Sequence, residues 1–199
     1  MAKVVKFPQP APEKFGYKPV RKKREGGAQG NKQLNLFSGG RVVKLSNLTT
    51  FEEALILDEQ ENPKAKDLYL KAIEEGDCVA DAYCNLGILE SQAQNASQAI
   101  DYLTQSLKHD PRHFEAHYNL ANLYAEVGNL PLAKVHYQIA IQVEPDFPNA
   151  HFNLGLTLAM LSEPQTAVEE LYAYKRLSDK DDLRHVDELI ATISLAKPS

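Results

Sequence analysis

The chain has 199 residues, of which 43% are hydrophobic and 25% are charged, and its formal net charge is −5. This length allows one substantial domain and a tail, and the lack of any run of about 18 apolar residues argues against a secreted or membrane-spanning protein. Its two cysteines, Cys78 and Cys84, fit neither a disulfide framework nor the spacing of a zinc site, so we expect a reduced, cytoplasmic protein without a metal.

The first 45 residues differ in composition from the rest of the chain. They hold eleven of the 22 Lys and Arg but two of the 27 Asp and Glu, a net charge of +9 that leaves −14 for residues 46–199. With many prolines and glycines and little apolar side chain to bury, such a segment cannot offset its ordering entropy. We therefore predict a disordered basic arm at residues 1–45. Its basic run, residues 18–24, is either a solvated linker or a weak contact for nucleic-acid phosphates.

A short apolar island interrupts the arm at residues 33–37. Its sequence, Gln-Leu-Asn-Leu-Phe, resembles the Gln-Leu-x-Leu-Phe motif by which bacterial polymerases, repair factors and replication regulators bind the replicative sliding clamp. The resemblance implies that Leu34, Leu36 and Phe37 fill hydrophobic pockets of the clamp while the Gln33 amide hydrogen-bonds at their rim. The alternative is that the three apolar side chains fold back onto the first helices of the body.

The strongest pattern in the body is a repeat of 34 residues. Residues 81–87, 115–121 and 149–155 align without a gap, and each contains an Ala, an Asn, a Leu and a small residue in the same order. An alanine and then a large residue follow at one phase in every copy: Ala99 and Leu103, Ala133 and Tyr137, Ala167 and Leu171. This pattern resembles the tetratricopeptide repeat, which implies two antiparallel helices in each copy.

Packing physics agrees with this resemblance. Small residues at Gly87, Ala121 and Gly155 face the alanines of the second helix, so the two helices of a hairpin can approach closely. Each hairpin leaves an apolar face that only its neighbour can cover, so the units must stack. We therefore predict an all-α, right-handed α-solenoid, with repeats at residues 80–113, 114–147 and 148–181.

The sequence on either side of these copies predicts further helices. Residues 46–79 keep the second-helix pattern but have lost a residue in the turn, as in a degenerate repeat. Residues 182–196 space their leucines and isoleucines as an amphipathic helix and begin with acidic residues, which suits a helix that caps the last hairpin. Residues 46–199 therefore form one repeat domain. Glu90 stands where the repeat usually has Tyr and Tyr174 where it usually has Ala, which affects local packing.

In tetratricopeptide proteins the first helices line a concave face that commonly binds an extended peptide. Carried over by position, the resemblance implies a peptide-binding site that consists of Asn85, Ile88, Tyr118, Asn119, Asn122, Phe152, Asn153 and Leu156. Three of these asparagines, Asn85, Asn119 and Asn153, recur every 34 residues, so stacking places them in a row where each amide can pair with a peptide backbone. The row is similar to the asparagine ladder in the solenoid of O-linked N-acetylglucosamine transferases. The alternative is that each asparagine binds a neighbouring helix.

Apolar and acidic side chains complete the predicted face. We expect an exposed apolar strip, at positions that packing does not need, formed by Ile88, Tyr118, Phe152, Leu156 and Met160. The concave positions include Asp81, Glu115 and Glu126 but no Lys or Arg, which favours a neutral or basic peptide over one held by its terminal carboxylate. The basic arm is such a peptide, so we hypothesise that it can occupy the groove.

The sequence shows no pattern of catalytic or cofactor-binding residues. His109, His113 and His117 are four apart, but Pro111 breaks a helix there and the repeat phase places His113 at the junction between hairpins. Cys84 lacks the pattern of an activated nucleophile. We therefore predict a non-enzymatic adaptor, without a cofactor, that binds a protein partner through an extended peptide and that the arm recruits to the sliding clamp. The alternatives are an assembly factor or co-chaperone with no link to DNA, and a nucleic-acid binder that acts through the arm.

Overall fold

The computed structural model describes residues 48–178 and 183–195. Over these ranges the chain forms nine α-helices and no β-strand. The helices are α1 (Thr50–Glu59), α2 (Lys64–Glu75), α3 (Val79–Gln92), α4 (Ala96–His109), α5 (Phe114–Glu126), α6 (Leu130–Val143), α7 (Pro148–Met160), α8 (Pro164–Leu177) and α9 (Arg184–Leu195). The prediction of an all-α fold is confirmed.

The helix ends follow from local sequence. Thr49 caps α1 in a capping box, in which its hydroxyl accepts from the Glu52 amide and the Glu52 carboxylate accepts from the Thr49 amide. Asn129 caps α6 by accepting from the Leu132 amide. Helix α2 ends at Gly76, whose φ of 73° lies in the left-handed region that glycine adopts without strain. Short connections then leave each helix antiparallel to the next.

Successive helices pack as hairpins, and the hairpins stack in chain order. The hairpins are α1–α2, α3–α4, α5–α6 and α7–α8; the second helix of each packs against the first helix of the next, and α9 packs against α8. First helices also contact one another, α3 with α5 and α5 with α7. A first helix therefore has neighbours on its outer side and on both flanks, as in a solenoid wall that is one hairpin thick. The predicted capping helix is α9.

Close approach within each hairpin depends on the small residues of the first helix. A Cβ atom added at Gly87 would lie 2.6 Å from Leu103 Cγ, and one added at Gly155 would lie 2.9 Å from Leu171 Cγ. Both distances are shorter than carbon atoms tolerate, so at these two positions only glycine allows the hairpin to close. The same added atoms would lie 3.2 Å from the Ala99 carbonyl oxygen and 3.1 Å from that of Ala167, which confirms the predicted close approach to the alanines of the second helix at these two positions.

The two departures from the repeat pattern have clear packing roles. Glu90 is 3% exposed and forms an ion pair with Lys66 of α2, while its second oxygen accepts from Asn95 Nδ2 at 2.8 Å. The Lys66 hydrogen bond lowers the pKa of Glu90, so the buried carboxylate stays charged and links the hairpins α1–α2 and α3–α4. Tyr174 is 4% exposed and packs its ring 4.9 Å from that of Phe152.

Candidate functional site

The three repeated asparagines all donate a hydrogen bond to the preceding hairpin. Asn85 Nδ2 donates to the Tyr69 hydroxyl at 3.2 Å, and Asn153 Nδ2 donates to the Tyr118 hydroxyl at 3.2 Å. Asn119 Nδ2 lies 3.8 Å from Cys84 Sγ, a weak acceptor. Each of the three side chains is at most 1% exposed. The asparagines therefore serve the junction between hairpins, and a role in pairing with a peptide stays a prediction.

The prediction that the apolar strip is exposed to solvent is wrong. Ile88, Tyr118, Phe152 and Leu156 are all buried, and of the five residues only Met160, at 52%, is exposed. These positions do serve packing, because first helices contact one another along the stack. The Tyr118 ring, for example, lies 5.2 Å from that of Phe147 at the start of the next hairpin, in an edge-on contact. Their part in peptide binding stays a prediction.

A buried polar network joins the hairpins α5–α6 and α7–α8. Asn122 Oδ1 accepts from the Tyr137 hydroxyl at 2.6 Å and from Asn153 Nδ2 at 3.1 Å. Asn122 Nδ2 and Asn153 Oδ1 are buried and have no partner at hydrogen-bond distance within the part of the chain that the structure describes, although Asn122 lies close enough to the Tyr118 hydroxyl to oppose the rise in its pKa. Turning both amides by 180° would keep the bond between them and still leave one donor and one acceptor unpaired. A buried polar atom without a partner destabilises the fold, so these two atoms either pair with a ligand or store strain.

This network could have been recognised from the repeat alignment. Asn122 stands where the other two copies have Ile88 and Leu156, and Tyr137 stands where they have leucine. Two polar residues that replace apolar ones in the same copy indicate that the two side chains meet. The sequence interpretation singled out Asn122 but missed Tyr137 as its partner.

Two of the predicted acidic residues, Asp81 and Glu115, lie close to the ring of His113. His113 caps α5, since its Nδ1 accepts from the Ala116 amide, and its Nε2 therefore carries a proton that it donates to Asp81 Oδ1 at 2.9 Å. Glu115 Oε2 lies 3.6 Å from His113 Nδ1 and the residue is 8% exposed. His113 thus lies at the junction of the first two full repeats, as the repeat phase predicts.

Burial keeps the other titratable groups of the face neutral. Desolvation raises the pKa of the Cys84 thiol well above its usual value, so the thiolate that a nucleophile needs is disfavoured. Desolvation also raises the pKa of Tyr118 to about 12, so its hydroxyl remains a neutral hydrogen-bonding group.

A second repeated position holds histidines on α5 and α7. His117 Nε2 lies 3.1 Å from the Pro111 carbonyl, and His151 Nε2 lies 2.8 Å from the Pro145 carbonyl, so both nitrogens donate. The other ring nitrogens have different partners, since His117 Nδ1 lies 2.9 Å from His136 Nδ1, whereas His151 Nδ1 lies 2.6 Å from Glu170 Oε2. Neither pair was predicted, although each spans 19 residues and the two align by the repeat.

The clamp-motif residues Gln33, Leu34, Leu36 and Phe37 lie outside the described residues. Within the described ranges no group of three potential metal ligands comes together. No helix in those ranges is both long enough and apolar enough to cross a membrane.

Comparison with known proteins finds a tetratricopeptide repeat in part of the chain. Residues 91–154 match the family model of the tetratricopeptide repeat. A stretch of 134 residues, 65% of the chain, is 31% identical to Protein O-mannosyl-transferase TMTC3 of Homo sapiens. The match spans 14% of that protein's length.

Solved structures share the fold at low sequence identity. MamA from Desulfovibrio magneticus RS-1 is 15% identical, with a TM-score of 0.63 over 73% of this chain and 82% of that chain. The TPR2B domain of yeast Sti1 in complex with pHsp70 is 21% identical, with a TM-score of 0.53 over 58% of this chain and 95% of that chain. The first TPR of Spaghetti (RPAP3), bound to an HSP90 peptide, is 17% identical, with a TM-score of 0.54 over 58% and 90%.

The fold is thus an α-solenoid of stacked helical hairpins. Residues 91–154 match the model of the tetratricopeptide repeat, and the solved structures share the fold.

Proposed function

We propose that this protein is a non-enzymatic cytoplasmic adaptor that binds an extended peptide of a protein partner along the first helices α3, α5 and α7. The observation that carries the proposal is the unpaired donor and acceptor of Asn122 and Asn153. A peptide backbone offers a carbonyl and an N–H group in each residue, so one ligand can satisfy both atoms whatever its side chains are. Two of the similar structures contain chaperone ligands, an HSP90 peptide and pHsp70.

Charge selects the kind of peptide. The HSP90 peptide bound by RPAP3 has the sequence SRMEEVD and is acidic. The concave positions of this chain instead carry the acidic side chains of Asp81, Glu115 and Glu126 and no Lys or Arg. Opposite charges attract and like charges repel across an interface, so a neutral or basic peptide is the ligand we propose. No transferase chemistry is proposed, since the match to the mannosyl-transferase spans 14% of that enzyme.

The test is a selection from a random library of 12-residue peptides with the full chain, followed by fluorescence polarisation with a fluorescein-labelled selected peptide. Asn122→Asp keeps the oxygen that accepts from Tyr137 and Asn153 but replaces the free donor. We expect this variant to bind at least about tenfold more weakly, because the carbonyl it served loses its partner. Gln138→Glu, on the exposed side of α6, makes the same chemical change away from the face and should leave the affinity unchanged. Equal affinities of Asn122→Asp and the unchanged chain would refute the proposal.

The motif at residues 33–37 carries a finer proposal, recruitment of the adaptor to a bacterial sliding clamp. It is supported by the match of all four defining positions in the sequence. A peptide spanning residues 28–42 should bind a bacterial clamp, and the same peptide with Leu36→Ala and Phe37→Ala should not. If the two peptides bind equally weakly, the assembly factor without a link to replication replaces this proposal.

A further inference from the structure

Two first helices are buried on every side. Eleven consecutive residues of the second full repeat, His113 to Leu123, are buried, as are nine of the third, Ala150 to Leu158. A helix turns once in 3.6 residues, so these runs include every direction around the α5 and α7 axes. The second helices differ, since α6 buries a single stripe of three residues. The concave side of α5 and α7 is therefore shielded from water.

Shielding of this side decides how a ligand can reach Asn122 and Asn153. Both side chains are 0% exposed, and their unpaired atoms are buried with them. The outer side and both flanks of α5 are packed against α4, α6, α3 and α7. A peptide must therefore enter from the concave side, after whatever shields that side has left.

We propose that residues 1–47 of the same chain lie along the concave face of α3, α5 and α7 and compete with the partner peptide. This inference rests on the proposed function, because it uses the same face. Charge complementarity supports it: residues 1–47 carry a net +9, whereas residues 46–199 carry −14. Acidic side chains stand at both ends of α5, Glu115 and Glu126, and Asp81 stands at the start of α3.

The length and attachment of the segment also fit. It joins the described chain at residue 48, two residues before α1, and so enters at the end of the stack where the row of first helices begins. Packed helices are about 10 Å apart, so the row from α1 to α7 measures about 30 Å if each first helix lies beside the next. A chain of 47 residues can extend to about 150 Å, so its reach is several times what the face requires.

Docking of the arm couples two binding events. A partner peptide that occupies the concave face displaces residues 1–47 and frees their basic run and the motif at residues 33–37. By thermodynamic linkage, a ligand that holds the arm elsewhere must raise the affinity of the concave face for its peptide by the same factor. The adaptor would then engage its two partners together.

Photo-crosslinking of the full chain tests the position of the arm. A benzoylphenylalanine at Met160, which is 52% exposed at the end of α7, should form an adduct with residues 1–47 that mass spectrometry can map. The same group at Tyr172, which is 54% exposed on α8, is the matched control and should not. The adduct should migrate as a monomer. No adduct at Met160, equal adducts at both sites, or adducts only with a second copy of the chain would overturn the proposal.

Charge reversal in the arm tests the competition. Lys22→Glu with Lys23→Glu should strengthen binding of the labelled library peptide by about tenfold, because a tethered competitor acts at an effective concentration in the millimolar range. Lys64→Glu with Lys108→Glu makes the same charge change at exposed sites of the body and should have no such effect. Unchanged affinity in the arm variant would overturn the competition while peptide binding itself stands. A Met160 adduct in a protein that binds no library peptide would remove the proposed function and leave arm docking intact.

Discussion

The second and third full repeats form the hairpins α5–α6 and α7–α8, called the second and third hairpins from here on, and each places a histidine at the same position with a different partner. In both, the ring Nε2 donates to a proline carbonyl six residues earlier. In the second hairpin the Nδ1 atom of His117 contacts His136, and in the third hairpin the Nδ1 atom of His151 contacts Glu170. At this position the first hairpin has two tyrosine rings, Tyr83 and Tyr102, at 6.2 Å. The contact to the preceding turn is thus shared by two repeats, while the residue on the second helix varies.

These partners give the two histidines opposite responses to protons. His117 Nε2 donates to a carbonyl, so its Nδ1 must accept from His136, which requires a neutral His117 ring. Burial lowers the pKa of His117, and it lowers the pKa of His136 to about 4. The hydrogen bond to Glu170 raises the pKa of His151. The backbone contact therefore fixes where the ring lies, and the facing side chain decides its charge.

The interiors of the two hairpins also differ. Tyr137 and Asn122 hydrogen-bond in the second hairpin, where the third has Leu171 and Leu156. The second hairpin is therefore held partly by polar contacts that need every partner, and the third by apolar contacts that tolerate change more easily. Substitutions that exchange residues between the two hairpins measure this difference.

The largest effect on stability is expected from Asn122→Leu, which gives the second hairpin the residue type that the third hairpin has at the same position, Leu156. Asn122→Leu removes the acceptor of the Tyr137 hydroxyl and one acceptor of Asn153 Nδ2. We expect the free energy of unfolding to fall by about 2 kcal/mol, because two hydrogen bonds between buried groups are lost and each contributes about 0.5–1.5 kcal/mol. Urea denaturation followed by circular dichroism measures it.

Asn122→Leu combined with Tyr137→Phe is the control for this explanation. The double variant has no hydroxyl left to satisfy, so it should recover at least about 1 kcal/mol relative to the sum of the two single changes. Strict additivity would show that the lost hydrogen bond is not the cause of the destabilisation.

The next effect comes from the closest contact of the third hairpin. Gly155→Ala places a Cβ atom 2.9 Å from Leu171 Cγ and 3.1 Å from the Ala167 carbonyl oxygen. We expect a loss of about 1–2 kcal/mol, because overpacking of about 1–3 kcal/mol exceeds the gain of about 1 kcal/mol in helix propensity. Thermal unfolding by calorimetry measures the difference.

The second hairpin provides the matched reversal. It has Ala121 opposite Tyr137 at these positions, so Ala121→Gly relieves no clash and should lose only about 1 kcal/mol of helix propensity. If Gly155→Ala were as stable as the unchanged chain, the hairpin would have room for the methyl group and the argument from close approach would fail.

A contact could be predicted from the sequence when it lies within one hairpin or between neighbouring turns, and less well when it joins different hairpins. The 34-residue period predicts the helices, the close approach at Gly87 and Gly155, and the junction position of His113, because each depends on neighbouring turns or on one hairpin. The exposure of Tyr118 and Phe152 could not be predicted, since it depends on how closely first helices of successive hairpins approach. The period also aligns the histidine pairs, but only coordinates show which ring nitrogen faces which partner.

Acidification separates the two histidine pairs. Since the folded-state pKa of His136 is lowered, the unfolded chain binds protons more readily, and stability is lost as pH falls below about 6.5 toward 4. His136→Glu gives the second hairpin the pair of the third and should remove that loss, a gain of about 1 kcal/mol at pH 5.5 relative to the unchanged chain. Urea midpoints at pH 7.5 and 5.5 measure the effect.

Two further variants assign the response to the correct groups. His136→Gln removes the titrating ring without adding charge, so it should gain acid tolerance but no raised pKa for His117. Glu170→Gln should remove stability that His151 contributes below about pH 6.5 and that is lost as pH rises through its raised folded-state pKa. The idea fails if nuclear magnetic resonance titration finds His117 and His151 with the same pKa in the unchanged chain.

The smallest effect extends the comparison to the first full hairpin, where Ser106 of α4 occupies the position of Ala140 in α6. Ser106 is 0% exposed, and within the described ranges its hydroxyl oxygen has no hydrogen-bond partner. Ser106→Ala should stabilise the protein by about 0.5–1 kcal/mol, because it removes an unpaired buried hydroxyl and improves helix propensity. The urea midpoint should rise with no change in slope, and the reverse exchange Ala140→Ser should lower it. A loss of stability in Ser106→Ala would mean that the hydroxyl is paired in solution and that the first hairpin, like the second, depends on a polar contact in its interior.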